Sequence, residues 1–313
     1  MEDNPKIGSV STDPIINGII IDSKDAVQKR RFFLRGKNVA ISISECEDLG
    51  RYGFSICHLQ DAMIEIARYI LSVGGNLLYG GDLRQGGFTE ILMDLVEVYK
   101  DYEDFKGHRL INFLAWPSNL TLTSKIEAEY FNKIRFETIF PNIAGFDDPS
   151  SQLRQGSGQR SILIANALSQ MRYALEKESH AKILVGGKSA KYAGLLPGIL
   201  EEFQAAILLN KPIYLIGGFG GMTRLISNVV KGTAKIENVV ESLDYEFINA
   251  YNKVAVEKFD VNNLIKAVNS VDLRKIATNS GLTEDEYLVL TTTNNISVIV
   301  YLVLKGLNRI LNV

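Results

Sequence analysis

The sequence predicts an α/β fold, a mostly parallel sheet with helices on both faces, followed by a C-terminal helical appendage. Three observations predict it. From residue 38 to residue 232, short β-branched runs alternate with segments of helical periodicity, as in sheets whose parallel strands are joined by helices. Pairs of glycines close several of these runs, where parallel strands often meet a ligand. After about Lys231, only helical patterns remain.

The elements are predicted in chain order. Residues 1–37 form an extended N-terminal extension, residues 38–232 the sheet domain, and residues 233–313 the helical region. The predicted strands cover 38–44, 77–79, 109–116, 135–140, 181–187 and 212–216, and the helices between them cover 56–73, 88–99, 124–132, 159–177 and 197–209. Four or five helices are predicted in 237–313, one of them capped by Thr283 with Glu286 three residues later.

Composition excludes several classes of protein. The chain has 313 residues, 34 Lys+Arg against 36 Asp+Glu and a formal charge of −2, so a nucleic-acid partner is not expected. Two cysteines and three scattered histidines predict neither a metal site nor a disulfide framework. With no signal peptide and no long apolar run, the sequence predicts a soluble, cytoplasmic protein without a membrane partner.

The glycines are unevenly placed. Fourteen of the 26 fall in a first cluster (Gly74 to Gly87), a second (Gly186 to Gly198) and a third (Gly217 to Gly221), each assigned to a strand end. Glycine lets the backbone approach a phosphate without a Cβ in the way, although it equally makes tight turns. Neither GxGxxG nor GxxxxGK[ST] occurs, so a standard NAD dehydrogenase or P-loop ATPase is disfavoured.

Charged residues surround the second cluster. Arg172 lies near the end of the preceding helix, Lys188 follows Gly187, and Glu201 and Glu202 lie near the start of the next helix. Two cations suit a phosphate, and a glutamate can accept ribose hydroxyls or stabilise an oxocarbenium-like transition state. The alternatives are a surface ion pair for Arg172 and simple stabilisation of a helix N-terminus by the glutamates.

Further candidates follow from position in the sequence. Ser42 and Ser44 end the first strand, where turn capping is an equal explanation, and Arg84 lies within the first cluster. Cys57 is predicted to be buried in its helix. The predicted ligand-binding residues are Ser42, Ser44, Gly80, Gly81, Arg84, Arg172, Gly186, Gly187, Lys188, Gly198, Glu202, Gly217, Gly218 and Gly220.

The order of these motifs resembles a known family. Met171-Arg172, Ala181 to Gly187, Pro197 to Glu202, and Lys211-Pro212 resemble the Lonely-guy (lysine decarboxylase-like) family of the SLOG superfamily. In that family a Met-x-x-Arg-Lys helix precedes a strand ending in Pro-Gly-Gly, then Gly-Thr-x-Glu-Glu and a Lys-Pro strand. Tyr79-Gly80-Gly81 is similar to its first glycine loop. The superfamily of Rossmann-like nucleotide binders also contains the ligand-sensing domain of Thoeris antiphage effectors.

The resemblance, over about residues 38–230, implies a Rossmann-like fold and a nucleotide-derived ligand: ADP-ribose, cyclic ADP-ribose or an NAD-like molecule. No further cofactor is implied. Sensor members hold such ligands with an Arg, a Lys and a Glu on successive elements, which Arg172, Lys188 and Glu202 match in order. A sensor or effector in bacterial antiphage defence, acting as a homo-oligomer, is the favoured reading.

Two alternatives remain. An N-glycosidic hydrolase of a nucleoside monophosphate or NAD would use Glu201, Glu202 and Arg172 as catalytic residues. Against it, Met171-Arg172 lacks the Met-x-x-Arg-Lys spacing, and Gly186-Gly187-Lys188 plus a longer segment replace the compact Pro-Gly-Gly-x-Gly-Thr loop. The third reading is a DNA-handling or structural oligomer, which the near-neutral charge disfavours.

Overall fold

A computed structural model of the chain describes residues 31–99, 107–143 and 157–312, together with two short strands nearer the N-terminus. Those strands, β1 (Ile15–Ile16) and β2 (Ile19–Ile20), form an antiparallel pair. The remainder of residues 1–30, and with it most of the predicted N-terminal extension, lies outside the described residues.

Six strands form one parallel sheet. They are β3 (Asn38–Ser44), β4 (Asn76–Gly80), β5 (Leu110–Ala115), β6 (Ile134–Ile139), β7 (Ala181–Gly186) and β8 (Ile213–Ile216). Their order is β6-β5-β4-β3-β7-β8, and every neighbouring pair is parallel. The chain reverses its direction of winding at β3, so the crevice at the carboxyl end of β3 is the place where open sheets of this kind bind ligands. The predicted α/β fold with a parallel sheet is confirmed.

Helices cover both faces of this sheet. They are α1 (Ile56–Ser72), α2 (Phe88–Val98), α3 (Ser124–Glu129), α4 (Ser157–Glu178), α5 (Gly198–Leu208) and α6 (Gly221–Val230). Because side chains alternate along a strand, Val39 and Leu77 pack into the core that contains α1, while Ala40 and Leu78 pack against α4. The strands are therefore buried on both faces and read as continuous apolar runs.

Six more helices follow within the described residues, one more than the predicted maximum. They are α7 (Glu237–Val240), α8 (Tyr245–Asn252), α9 (Val261–Asn269), α10 (Leu273–Asn279), α11 (Glu284–Thr292) and α12 (Ile296–Leu311). The shortest of them, α7, is one turn long and ends before Asp244 caps α8. The predicted cap of α11 is confirmed, since Thr283 and Glu286 form a capping box.

The C-terminal helices cover the β8 edge of the sheet. The Tyr287 hydroxyl donates to the Ile213 carbonyl oxygen at 2.7 Å and accepts from the Leu215 N–H at 3.2 Å. Tyr214 donates to the Ser280 carbonyl oxygen at 2.9 Å. The two contacts of Tyr287 satisfy backbone groups that an edge strand would otherwise expose, and the contact of Tyr214 fixes the helices to the strand. The helices thus share one hydrophobic core with the sheet, and the predicted domain division at residue 232 stays a prediction.

Candidate functional site

A cavity of about 270 Å³ opens at the carboxyl ends of β3 and β4. Its volume is near the lower end of the roughly 300–1,000 Å³ that small-molecule sites occupy, which suits one mononucleotide-sized group. The predicted residues that line it are Ser42, Ser44, Gly80, Gly81, Arg84, Arg172, Gly198 and Glu202. These residues come from four separate segments of the chain, and they meet at the carboxyl end of β3, where the winding of the sheet reverses.

Two helices begin at this cavity with their N-termini uncapped. Neither Gly87, before α2, nor Pro197, before α5, caps its helix with a side chain. The first residues of the two helices, including Thr89 and Gly198, line the cavity. A helix N-terminus presents N–H groups without intrahelical partners and a partial positive charge, both of which favour an anion.

Thr89 adds an unused hydrogen-bonding group, one that the sequence analysis did not find. The residue is 1% exposed, lies in the first turn of α2 and faces the cavity. Its hydroxyl forms no hydrogen bond with any described residue. Buried polar groups are almost always paired, so a hydroxyl left unpaired beside a cavity points to a ligand. Its position two residues after the pair Gly86-Gly87 was the only signal in the sequence.

Glu202 provides a buried negative charge to the cavity, which Asp82 also lines with a partly exposed carboxylate. Its Oε2 accepts a hydrogen bond from the Ser42 hydroxyl and pairs with the Lys182 ammonium. Its Oε1 lies 3.8 Å from Nε of Arg172. Burial raises the pKa of Glu202, but the attraction of Lys182 and Arg172 outweighs burial and holds that pKa below its ordinary value. Glu202 is therefore an ionised, acceptor-only group.

Arg172 is a buried residue rather than a surface one. It is 8% exposed and pairs with Glu201, whose second oxygen accepts from Ser169. A Cβ at Gly198 would lie 2.9 Å from Nη2 of Arg172, and one at Gly194 would lie 2.6 Å from Nη1. These glycines therefore make room for the guanidinium. A surface ion pair, the alternative reading of Arg172, is wrong.

Glu201 and Glu202 face different cavities although they are adjacent. Successive helical residues point about 100° apart. Glu202 lines the cavity at β3 and β4, whereas Glu201 lines a separate cavity of about 450 Å³ beside Tyr251. Arg172 reaches both of them. Of the two glutamates, only Glu202 is placed to contact a ligand in the cavity at β3 and β4.

Backbone N–H groups of the loop after β7 are bound by a carboxylate of the chain itself. Glu47 accepts hydrogen bonds from the backbone N–H groups of Ser189 and Ala190 at 3.2 and 3.0 Å. These two N–H groups of the loop are therefore already used by a carboxylate of the chain and are not free for a ligand. Lys188 is exposed and lies outside the lining of the cavity, as do Gly186 and Gly187. The structure does not bring Lys188 together with Arg172 and Glu202 in that lining.

In the third cluster, too, a carboxylate of the chain binds a backbone N–H group. Asp48 accepts a hydrogen bond from the Gly221 N–H at 2.9 Å, at the start of α6. A Cβ at Gly217 would lie 2.5 Å from the Thr291 carbonyl oxygen, and a Cβ at Gly218 would overlap that of Thr293. The residues of this cluster predicted to bind a ligand, Gly217, Gly218 and Gly220, lie outside the lining of the cavity. These glycines permit close packing against α11 and the loop after β3.

Two other expectations need correction. Gly74 and Gly75 precede β4, so this part of the first cluster lies at the amino end of the strand, and Gly80 lies at its carboxyl end. Cys57 is exposed, not buried, because the buried face of α1 carries residues such as Leu59 and Met63. In the parts of the chain that the structure describes, no cluster of His, Cys, Asp and Glu could hold a metal ion. None of the described helices has the length and apolar character needed to cross a bilayer.

Comparison with known proteins identifies the family. No curated protein matches the chain significantly. The family model described as SLOG cluster2 matches residues 33–290, which include the whole parallel sheet and most of α11. This match confirms the superfamily that the motif order predicted. The chain therefore belongs to the SLOG cluster2 family, whose Rossmann-like domains are nucleotide-related.

Proposed function

We propose that this protein binds a nucleotide-derived ligand in the cavity at the carboxyl ends of β3 and β4, with a phosphate at the N-termini of α2 and α5. One observation carries the proposal: two uncapped helix N-termini and the unpaired Thr89 hydroxyl meet in a single cavity. Each feature favours an anionic oxygen, through free N–H groups, a positive helix dipole and a hydroxyl donor.

The sugar of such a ligand has a partner in Glu202. An ionised carboxylate accepts hydrogen bonds and cannot donate them, so the group next to it must be a donor, as a ribose hydroxyl is. Oε2 of Glu202 is engaged by Ser42 and Lys182, which leaves Oε1 for the ligand. The side chain of Arg84 is 76% exposed, pairs with Asp82 at 3.1 Å and lines the cavity, where its remaining N–H groups can meet a second phosphate.

ADP-ribose, cyclic ADP-ribose and NAD-like molecules all have these groups. The limited volume, about 270 Å³, favours one nucleotide unit inside the cavity and the remainder toward Arg84. The resemblance to the ligand-sensing domain of Thoeris effectors supports a sensor or effector role in antiphage defence. In that role the protein is a cytoplasmic homo-oligomer that needs no further cofactor.

Calorimetric titration of the full chain tests this proposal. AMP, ADP-ribose, cyclic ADP-ribose and NAD are titrated separately, and inorganic phosphate serves as the control. At least one nucleotide is expected to bind with one site per chain, more tightly than phosphate, because Glu202 adds a contact that phosphate cannot use. No binding of any of the four nucleotides, or equal affinity for phosphate, would overturn the proposal.

Hydrolysis of an N-glycosidic bond is the second candidate function. The observation that favours it is a fixed, ionised carboxylate at the cavity, because such a group stabilises an oxocarbenium-like transition state. Of the predicted catalytic residues Glu201, Glu202 and Arg172, only Glu202 is placed for this role, and Arg172 is held by Glu201.

Chromatography of reaction mixtures decides between binding and hydrolysis. If the protein is a hydrolase, free base or nicotinamide accumulates from a nucleotide or NAD. Glu202→Gln stops this release, and Glu97→Gln, at the partly exposed pair with Lys133, retains it. Absence of released base from every nucleotide that binds would leave the binding function alone. Equal loss of activity in both variants would contradict the assignment of Glu202 as the reacting carboxylate.

A further inference from the structure

A lysine is buried in the middle of the sheet domain. Lys182 lies in β7 with its side chain 0% exposed, and its partner Glu176, near the end of α4, is also 0% exposed. Fully buried Lys and Glu are rare, and a buried pair is often no more stabilising than two apolar residues of similar size. Neither residue lines the candidate cavity. A contribution to the stability of the fold therefore does not explain why these two residues are charged.

The geometry connects the pair to the cavity. Nζ of Lys182 lies 2.6 Å from Oε1 of Glu176 and also contacts Oε2 of Glu202. Oε2 of Glu176 accepts a hydrogen bond from the Ser179 hydroxyl at 3.0 Å. The ammonium thus bridges two carboxylates, one sealed in the interior and one at the cavity. Lys182 reaches the ligand site only through Glu202.

The charges of this network alternate. The groups that face one another from α4, β7 and α5 are Glu176, Lys182, Glu202, Arg172 and Glu201. Three carboxylates share two cations, so removal of the Lys182 charge would leave one cation for all three. Like charges so close together cannot all remain ionised.

The directions of the pKa shifts agree with this geometry. Burial lowers the pKa of Lys182, but Glu176 and Glu202 outweigh burial and hold that pKa above its ordinary value. Burial raises the pKa of Glu176, in spite of the opposing attraction of Lys182. The pKa of Glu176 is thus shifted upward, while that of Glu202 is shifted downward.

We propose that Lys182 is a positioning residue, which holds the carboxylate of Glu202 in place and in its charged form beneath the ligand, and that Glu176 is the buried counter-ion of Lys182. Oε1 of Glu202 then remains an acceptor for a ligand hydroxyl. The role of Lys182 toward Glu202 does not depend on which ligand binds. Only its consequence for affinity rests on the proposed function.

Carbon-13 NMR of the glutamate carboxyls in the full chain tests this role directly. Glu202→Gln identifies the Glu202 signal, whose midpoint in the wild type is expected below that of an ordinary glutamate. In Glu176→Leu/Lys182→Met the midpoint is expected to rise by about one pH unit or more, because an adjacent cation is lost. This double variant removes both members of the buried pair, so it is expected to fold. Lys182→Met alone would leave Glu176 buried without a counter-ion.

The matched control applies the same two substitutions to a pair outside the site. Lys133 pairs with Glu97, and both side chains are about one third exposed. Glu97→Leu/Lys133→Met is expected to leave the midpoint of Glu202 unchanged. An unchanged midpoint in the folded Glu176→Leu/Lys182→Met variant would overturn the role of Lys182, and so would an equal shift in the control.

Titration with AMP separates this inference from the proposed function. If the wild type binds AMP, the double variant at the Lys182 position is expected to bind it at least about tenfold more weakly, since a Glu202 carboxylate that Lys182 no longer holds in place loses its hydrogen bond to the ribose. Wild-type affinity together with a raised midpoint would show that Glu202 does not contact AMP. If the wild type binds no nucleotide, the proposed function fails, while the NMR result still decides the role of Lys182.

Discussion

Arg172→Ala is expected to lower the free energy of unfolding by about 3–5 kcal/mol, because removing one partner of a buried ion pair leaves the other charge uncompensated. Arg172 pairs with Glu201 and lies near Glu202, and both carboxylates are largely buried. The same substitution is expected to abolish nucleotide binding, because the uncompensated carboxylates would make the cavity more negative and repel an anionic ligand. Urea denaturation measures the first effect, and calorimetry at a temperature where the variant is folded measures the second.

Arg68→Ala is the matched control. Arg68 is about half exposed and pairs with Glu65 at 3.0 Å on the surface of α1. Exposed pairs contribute roughly 0.2–1 kcal/mol, so this variant is expected to keep nearly all its stability and its nucleotide affinity. If Arg172→Ala costs no more than Arg68→Ala, then Arg172 does not hold the buried network together.

Gly218→Ala is expected to destabilise the fold by about 1–3 kcal/mol without changing nucleotide affinity, because overpacking in a filled interior forces backbone shifts. A Cβ at this position would overlap the carbonyl oxygen of Thr293, and the residue lies outside the cavity. Gly50→Ala is the control, since a Cβ there has no neighbour within 4 Å. Denaturation curves and calorimetry of the two variants provide the comparison.

The opposite result for Gly218→Ala would be informative. Unchanged stability with reduced nucleotide affinity would mean that the third cluster contacts the ligand, as the sequence predicted. The contact between Asp48 and the Gly221 N–H leads us to expect otherwise, because that carboxylate occupies the anion position at α6.

The sequence predicted the parallel sheet because its signals are local. Alternation of β-branched runs with helical patterns is visible within short windows, and Val39 to Ile43 is such a run. The cap at Thr283 and Glu286 is also local, and it was predicted correctly. The number of helices in 237–313 was predicted one too low, because a helix as short as α7, with four residues, is too short to show periodicity.

The site was predicted only in part because its contacts are distant in sequence. Glycine permits close approach to a phosphate, but equally to the backbone of the same chain, and sequence alone does not distinguish the two. Glu47 and Ser189 are 142 residues apart, so no local pattern in the sequence could predict that Glu47 binds the loop of the second cluster. Lys182 did leave a signal, a charge inside an apolar strand, which a search for buried ions would have found.

Thr89→Val tests the position of the ligand most directly. The substitution removes a hydroxyl that has no partner among the described residues, so the melting temperature is expected to stay the same or rise. Affinity for the nucleotide that binds the wild type is expected to fall about tenfold, the equivalent of one hydrogen bond to a charged group.

Thr223→Val is the matched control, measured by the same calorimetry and thermal melting. The Thr223 hydroxyl is buried and donates to the Gly186 carbonyl oxygen at 2.9 Å, so its loss is expected to lower stability and spare affinity. Reduced affinity in Thr89→Val, with unchanged affinity in Thr223→Val, is the result we predict for a ligand at the N-terminus of α2. Wild-type affinity in Thr89→Val would contradict a phosphate at that position.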